Sequence, residues 1–143
     1  MLRPRIIPCL LIYKDALVKT VKFKDQRYIG DPINAVKIFN EKEADELIVL
    51  DIGATTNSME PNFKLIEKLA AECRMPLCYG GGVASVKQVT KLVDMGVEKV
   101  AVSAAAIEKP YLVKELVSAV GSQSIVVILD LFKTKNTFSE KYE

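Results

Sequence analysis

The sequence predicts an α/β fold in which a parallel sheet is covered by helices. Short apolar runs alternate with stretches of helical spacing four times before a final apolar run, and each run is apolar throughout rather than at every second residue. Continuous apolar runs are typical of parallel strands, and the connections between parallel strands are usually helical. From the residues alone, two architectures stay open: a doubly wound open sheet and part of a (β/α) barrel.

Five apolar runs predict the five strands of the parallel sheet. They span residues 5–12, 46–52, 76–79, 97–103 and 124–131. We expect these strands to be buried on both faces. Residues 17–23 alternate imperfectly between apolar and polar side chains, and they predict a hairpin arm between the first strand and the first helix.

Four stretches of helical spacing predict the connections between these strands. The first starts at Asp31-Pro32, an N-cap residue followed by proline at the first helical position, and extends to about residue 43. The others cover residues 62–73, 85–96 and 110–121, the last two ending at a glycine. The polar tail after Leu131 has no periodicity and predicts a loop.

Composition narrows the class of protein. The 143 residues are 50% hydrophobic, with 20 basic and 18 acidic side chains, which is typical of one globular domain. The balanced charge and the aromatic content of 7% argue against nucleic acid as a partner. No apolar run approaches the ~20 residues of a membrane span, so the sequence predicts a cytoplasmic protein with no membrane partner.

Histidine is absent from the sequence, which restricts the chemistry. The usual general base and nearly all zinc sites are thereby removed, so carboxylates or lysines must carry any acid-base step. Three cysteines in a chain without a secretory signal predict reduced thiols rather than disulfides. We expect neither a metal nor another cofactor.

Two segments at predicted strand ends suit an anion. Gly81 and Gly82 belong to a glycine triplet directly after a strand and before a helix, where unpaired backbone N–H groups favour phosphate. A tight turn without a ligand explains the triplet equally well. Ser103 and Ala104 occupy the equivalent position one unit later, where small side chains also serve packing.

Charged residues mark both ends of the predicted strands. Asp51 and Asp130 each follow an apolar strand, at the end where α/β folds bind ligands. Arg5, Glu46 and Lys99 each lie at a strand start, where an isolated charge is usually just solvated. Their equivalent positions also fit a ring of alternating charges at the bottom of a barrel.

Several segments taken together resemble a known family. IIPCL, LVKTVKF, GDPINAVKIFNEKEADELIVLDI, PLCYGGGV, VEKVAVSAAAI and GSQSIVVILD resemble the cyclase subunit of imidazole glycerol phosphate synthase, in order and as far as Asp130. The resemblance implies a (β/α)8 barrel. It also implies a glutaminase partner that supplies ammonia at the bottom, and ring closure on a doubly phosphorylated ribonucleotide at the top.

The resemblance assigns roles to individual residues. It implies that Gly81, Gly82, Ser103 and Ala104 grip a phosphate, that Asp130 is one catalytic carboxylate, and that Lys19 and Asp51 are supporting site residues. It also implies that Arg5, Glu46 and Lys99 are three of the four residues of an ammonia gate. Glu98 would face the glutaminase. Ser103 stands where the family usually has asparagine, and Glu98 where it usually has aspartate.

Two departures from the family pattern affect the expected function. Leu11 stands where the family has its other catalytic aspartate, and a leucine cannot transfer protons. Paralogues with this leucine resemble the sequence more closely, and they are thought to pass ammonia to an amidotransferase acting on an acetamido sugar for surface glycans. A sister barrel isomerase is a third alternative, disfavoured because it needs no ammonia gate.

Length is the second departure. A complete eightfold barrel needs roughly 250 residues. We therefore expect residues 1–143 to form one partial barrel domain of about four βα units plus a fifth strand, truncated after that strand. An incomplete barrel exposes apolar side chains that the full barrel would bury, so we expect the chain alone to associate with itself or to pack loosely.

Overall fold

A computed structural model describes residues 3–131, 133–136 and 139–142 of the chain. The strands are β1 (Cys9–Tyr13), β2 (Ala16–Val21), β3 (Lys24–Gly30), β4 (Leu47–Asp51), β5 (Leu77–Gly80), β6 (Lys99–Val102), β7 (Ile125–Val127), β8 (Lys133–Asn136) and β9 (Ser139–Tyr142). The helices are α1 (Pro32–Glu41), α2 (Phe63–Glu72), α3 (Val86–Asp94), α4 (Ala104–Glu108) and α5 (Pro110–Val120). The order of elements confirms the predicted α/β class.

Seven strands form one sheet in the order β3-β2-β1-β4-β5-β6-β7. The strands β1, β4, β5, β6 and β7 are mutually parallel and neighbour one another in chain order. On its other side, β1 pairs with β2, and β2 with β3, in an antiparallel meander. Sequential parallel strands joined by helices are the arrangement of a (β/α) barrel, so the fold is a partial barrel of this type.

One face of the sheet packs against the helices and forms the core. Alternate residues of the parallel strands are buried there against the apolar sides of the helices. Among the most deeply buried are Leu47, Val49 and Val100 from the strands and Leu69, Leu92 and Leu116 from the helices. The residues of the other face are exposed or only partly buried on β1 and β4, so the expectation of burial on both faces fails for these two strands, whereas every residue of β5 is buried.

The second face of the sheet carries two rows of aligned residues. Cys9, Ile48, Cys78 and Lys99 form the row nearer the strand starts, and Leu11, Leu50, Gly80 and Ala101 form the next row. Leu11, Ile48 and Leu50 are only partly buried. In a (β/α) barrel this face points to the interior, so the partial exposure of these three side chains fits a barrel that is not closed.

Helix starts follow the capping residues of the sequence. The Asp31 side chain accepts a hydrogen bond from Asn34 N at 2.9 Å, and Pro32 is the first helical residue, which confirms the predicted start of α1. Asn62 and Ser85 cap α2 and α3 in the same way. These caps satisfy orphan N–H groups, and they fix where each helix leaves the carboxyl end of the sheet.

Several parts of the fold differ from the predictions, including the first strand, which was predicted from residue 5 and begins at Cys9. The strand β3 and the five-residue helix α4 were not predicted. The predicted strand 124–131 is shorter, because pairing as β7 ends at Val127. The tail was predicted as a loop, and this is wrong, because β8 and β9 pair as an antiparallel hairpin.

Candidate functional site

A cavity of about 780 Å³ lies at the carboxyl end of the parallel strands. Six residues singled out from the sequence line it, namely Asp51, Gly81, Gly82, Ser103, Ala104 and Asp130. They come from the ends of β4, β5 and β6 and from the segment after β7. Lys19 is not part of this lining; it is exposed on β2, while its neighbour Thr20 contributes to the cavity wall.

The glycine turn after β5 requires glycine at two positions. Gly81 has φ +121, and a Cβ added to it would collide with the carbonyl oxygen of Asp51. Gly82 has φ +69, and its Cβ would lie 2.5 Å from the carbonyl oxygen of Met59. Both glycines are therefore needed for the close packing of this turn on the loop after β4.

The Asp51 carboxylate is held by its own loop. Its Oδ1 accepts hydrogen bonds from Gly53 N at 2.9 Å and from Ala54 N at 3.0 Å. Burial raises the pKa of the Tyr79 hydroxyl, and the negative charges of Asp51 and Asp15 raise it further. Asp51 thus shapes the loop beside the glycine turn, and Tyr79 stays protonated.

Ser103 and Asp130 mark the opposite wall of the cavity. Ser103 is the N-cap residue of α4 without a side-chain capping bond, and its carbonyl oxygen accepts from Ala106 N at 2.9 Å. Asp130 is exposed two residues after Ile128, whose N–H donates to Val102 O at 3.0 Å. The hydroxyl and the carboxylate are therefore both available to a ligand in the cavity.

The cavity lining is acidic. Its charged side chains are Asp51, Glu60, Glu108 and Asp130, and no lysine or arginine contributes among the described residues. Leu11, at the position that the family resemblance gives to an aspartate, also lines the cavity. A phosphate bound here would depend on backbone N–H groups rather than on cationic side chains.

A second cluster lies at the opposite, amino end of the strands. Glu46 precedes β4, and its side chain is 9% exposed. Its Oε1 pairs with Arg5 Nη1, and its Oε2 accepts from Lys99 Nζ at 2.8 Å. The three charges predicted at strand starts thus form one bridged cluster, which we call the Glu46 cluster.

The surroundings of the Glu46 cluster are partly apolar. Cys78, aligned with Lys99 in the sheet, is buried, and desolvation raises the pKa of its thiol to about 11 despite the nearby Lys99 cation. Glu98, the residue before Lys99, is exposed, and its N–H donates to Leu77 O at 2.9 Å. The cluster therefore has an apolar side toward the sheet and an exposed acidic side chain next to it.

Sequence reasoning missed several cavity residues. Thr55, Glu60, Gln88 and Glu108 line the cavity but were not singled out. Of these four, only Gln88 could have been found from the sequence, because it stands three residues after the N-cap Ser85, which is the spacing of a capping box. The other three lie in a loop or a short helix without a distinctive pattern.

Fold and site together define a (β/α)-barrel protein with an acidic pocket at one end of its strands and a charge cluster at the other. The chain belongs to the histidine biosynthesis protein family, which matches residues 5–142. No described helix combines the length and the apolar character that crossing a membrane requires.

Relatives in this family make the similarity more specific. The chain is 59% identical over 143 residues to a Leptospira borgpetersenii protein and 54% identical over 143 residues to a Leptospira interrogans protein, both named "Putative imidazole glycerol phosphate synthase subunit HisF". It is also 54% identical over 143 residues to the Vibrio vulnificus "Putative imidazole glycerol phosphate synthase subunit hisF3". All of this chain is covered, but only 56%, 56% and 54% of these relatives, so the chain spans about half their length.

Proposed function

We propose that the chain supplies the first part of the barrel of a cyclase-type subunit of imidazole glycerol phosphate synthase. Such a subunit takes ammonia from a glutaminase partner and uses it on a phosphoribosyl substrate in histidine biosynthesis. The family membership and the names of the relatives support this proposal. We place the subunit in the cytoplasm, where its thiols would stay reduced.

The Glu46 cluster is the observation that carries the proposal. A buried carboxylate is costly unless it is paired, and Glu46 is paired on both oxygens, by Arg5, which lies four residues before β1, and by Lys99, the first residue of β6. In a closed barrel, a charge bridge at this position would close the amino end of the interior. Because the Arg5 side chain is 63% exposed, we propose that Arg5 is the cation that moves when this gate opens.

An apolar path leads from the Glu46 cluster toward the cavity. On the same face of the sheet, the row of Cys9, Ile48 and Cys78 comes first, and the row of Leu11 and Leu50 follows. Neutral ammonia crosses an apolar passage at a lower free-energy cost than ammonium, because the charged ion must lose its hydration shell. The glutaminase would dock at the entrance to this path, where Glu98 is exposed.

The carboxyl end would hold the substrate. Backbone N–H groups at Gly82 and Ala104 suit a phosphate, with Gly81 and Ser103 shaping the two turns. Asp130 would act as general acid-base, and its exposure on the cavity lining leaves it free to approach a ligand. Asp51 would position the loop beside the phosphate. Lys19 would contact the substrate only if β2 moved toward the cavity.

Leu11 favours a second candidate function. It places an alkyl side chain on the cavity lining at the position where ring closure in the family uses a carboxylate. A subunit that keeps the ammonia entrance but lacks this acid fits a paralogue that passes ammonia to a sugar amidotransferase in surface-glycan biosynthesis. Losing a positioned acid-base group costs about 10²–10⁴-fold in rate.

Introducing an aspartate at position 11 distinguishes the two candidate functions. The test uses a chimera in which this chain is followed by the remaining part of the Leptospira borgpetersenii relative. If the subunit is a cyclase with a damaged site, Leu11→Asp raises ammonium-dependent ring closure at least about 100-fold, and the matched neutral variant Leu11→Asn does not. No gain from Leu11→Asp, in a chimera that unfolds at the same temperature, contradicts the cyclase and supports the conduit.

A further inference from the structure

The segment before β1 carries Arg5, and burial does little to fix it. Ile6 and Ile7 are 72% and 37% exposed, and the Arg5 side chain is 63% exposed. Hydrogen bonds hold the segment instead. Ile6 N donates to Asp45 Oδ2 at 2.7 Å, and Asp45 N donates to Ile6 O at 3.1 Å. Both backbone polar groups of Ile6 are thus bound by one residue, and we call these two bonds the Asp45 clasp.

The position of Asp45 is set by the end of α1. Glu43 has φ +54, and its N–H donates to Asn40 O at 3.2 Å. Ala44 N donates to Phe39 O at 3.2 Å. These two bonds around a left-handed residue form a Schellman motif, which ends a helix in a defined geometry. Asp45 follows the motif directly, so its carboxylate reaches the segment before β1 from a turn that forms without that segment.

The Asp45 clasp lies beside the ion pair of Arg5 and Glu46. Arg5 precedes Ile6, and Glu46 follows Asp45, so adjacent residues join the same two segments twice. An ion pair made by an exposed side chain is weak, because that side chain must give up its rotameric freedom. A backbone already held at Ile6 leaves Arg5 fewer conformations to lose. A clasp at this place therefore favours the ion pair.

We infer that Asp45 is the positioning residue of Arg5 and holds it within reach of Glu46. The inference rests on the proposed role of Arg5 as the cation that moves when the ammonia gate opens. With the clasp intact, only the Arg5 side chain moves, and it returns to Glu46 from a fixed backbone. With the clasp broken, the whole segment leaves with Arg5, and Glu46 keeps Lys99 as its partner. Asp45 thereby favours the closed gate.

Trypsin tests this position on the full chain, because Arg5 is a trypsin site. The bond after Arg3 precedes a proline and resists trypsin, so cleavage after Arg5 removes residues 1–5 and is read from the intact mass. Cleavage requires the clasp to open and the Arg5 side chain to leave Glu46, and its rate follows this open population. We expect Asp45→Ala to raise the rate about threefold to tenfold. Asp45→Asn keeps an oxygen acceptor and should retain most of the protection.

A double-mutant comparison shows whether Asp45 acts on the ion pair. Glu46→Gln removes the charge that holds Arg5, and it should raise the rate of cleavage after Arg5. If the clasp positions Arg5 for this pair, Glu46→Gln raises the rate by a smaller factor in the Asp45→Ala chain than in the unchanged chain. Equal factors would show that the clasp and the ion pair are independent, and the inference would be wrong.

Two controls separate a local effect from a general loosening of the fold. Cleavage after the exposed Lys24 in the same digest gives the reference rate. Asn40→Ala removes two side-chain hydrogen bonds at the same end of the fold and should leave the ratio of the Arg5 rate to the Lys24 rate unchanged. An unchanged ratio in Asp45→Ala, or an equal loss of protection in Asp45→Asn, overturns the inference.

The proposed gate can fail separately from the clasp. If the clasp passes these tests, but Lys99→Met leaves glutamine-dependent ring closure in the Leu11→Asp chimera unchanged, Arg5 is positioned as inferred and the ammonia gate is wrong. If Lys99→Met lowers that rate and Asp45→Ala leaves the cleavage ratio unchanged, the gate stands and the inference about Asp45 is wrong.

Discussion

Removing Lys99 should destabilise the fold more than removing Arg5, although both cations pair with Glu46. Breaking a fully buried ion pair by removing one partner costs about 3–5 kcal/mol, because the remaining charge is left buried. The side chains of Glu46 and Lys99 are 9% and 25% exposed, and Arg5 still pairs with Glu46 after the change. We therefore expect Lys99→Met to cost about 1–3 kcal/mol.

Arg5→Met should cost less than about 1 kcal/mol, because the Arg5 side chain is 63% exposed and exposed ion pairs contribute little. Glu98→Gln, next to Lys99 but exposed, serves as the control and should change the stability by no more than ~0.5 kcal/mol. Urea unfolding followed by circular dichroism measures all three, and equal m values show that the unfolding reaction is the same. Equal losses for Arg5→Met and Lys99→Met would refute the reasoning from burial.

Three further predictions follow from the structure. Gly81→Ala should cost more than about 2 kcal/mol in unfolding free energy, because its Cβ collides with the Asp51 carbonyl; a loss below 0.5 kcal/mol in urea unfolding would contradict this. The exposed Cys9 should react with a thiol reagent at pH 8 well before Cys78, whose pKa is raised to about 11, and equal rates would show that Cys78 is accessible. Light scattering should show self-association, because among the described strands β7 pairs with β6 alone and carries exposed apolar residues such as Val127; a monodisperse, well-packed monomer would contradict this.

The alternation of strands and helices was predictable because each parallel strand is short and apolar. The first and last residues of each strand were harder to predict, because burial differs between the two faces of the sheet. The strand β3 was missed for a clear reason. Its residues are exposed up to Ile29, so no apolar pattern marks it. The turn before it has positive φ at Lys22 and Phe23, where Asn-Gly is the usual signal.

The candidate site was partly predictable. Residues at equivalent strand ends must meet at one edge of a parallel sheet, which is why Asp51, Gly82 and Ser103 could be grouped without a structure. The same logic grouped the residues of the Glu46 cluster. The contact between Gln88 and Glu60 could not be predicted, because it joins a helix to a loop 28 positions away through side-chain amide geometry.

The most direct test of the proposed function compares two nitrogen sources for ring closure in the Leu11→Asp chimera, with and without Lys99→Met. If ammonia enters through the Glu46 cluster, Lys99→Met lowers the glutamine-dependent rate in the presence of the glutaminase. The rate with ammonium salts, which reach the cavity from solution, stays unchanged. An equal loss with both nitrogen sources, no loss with either, or no ring closure in the Leu11→Asp chimera would contradict the account.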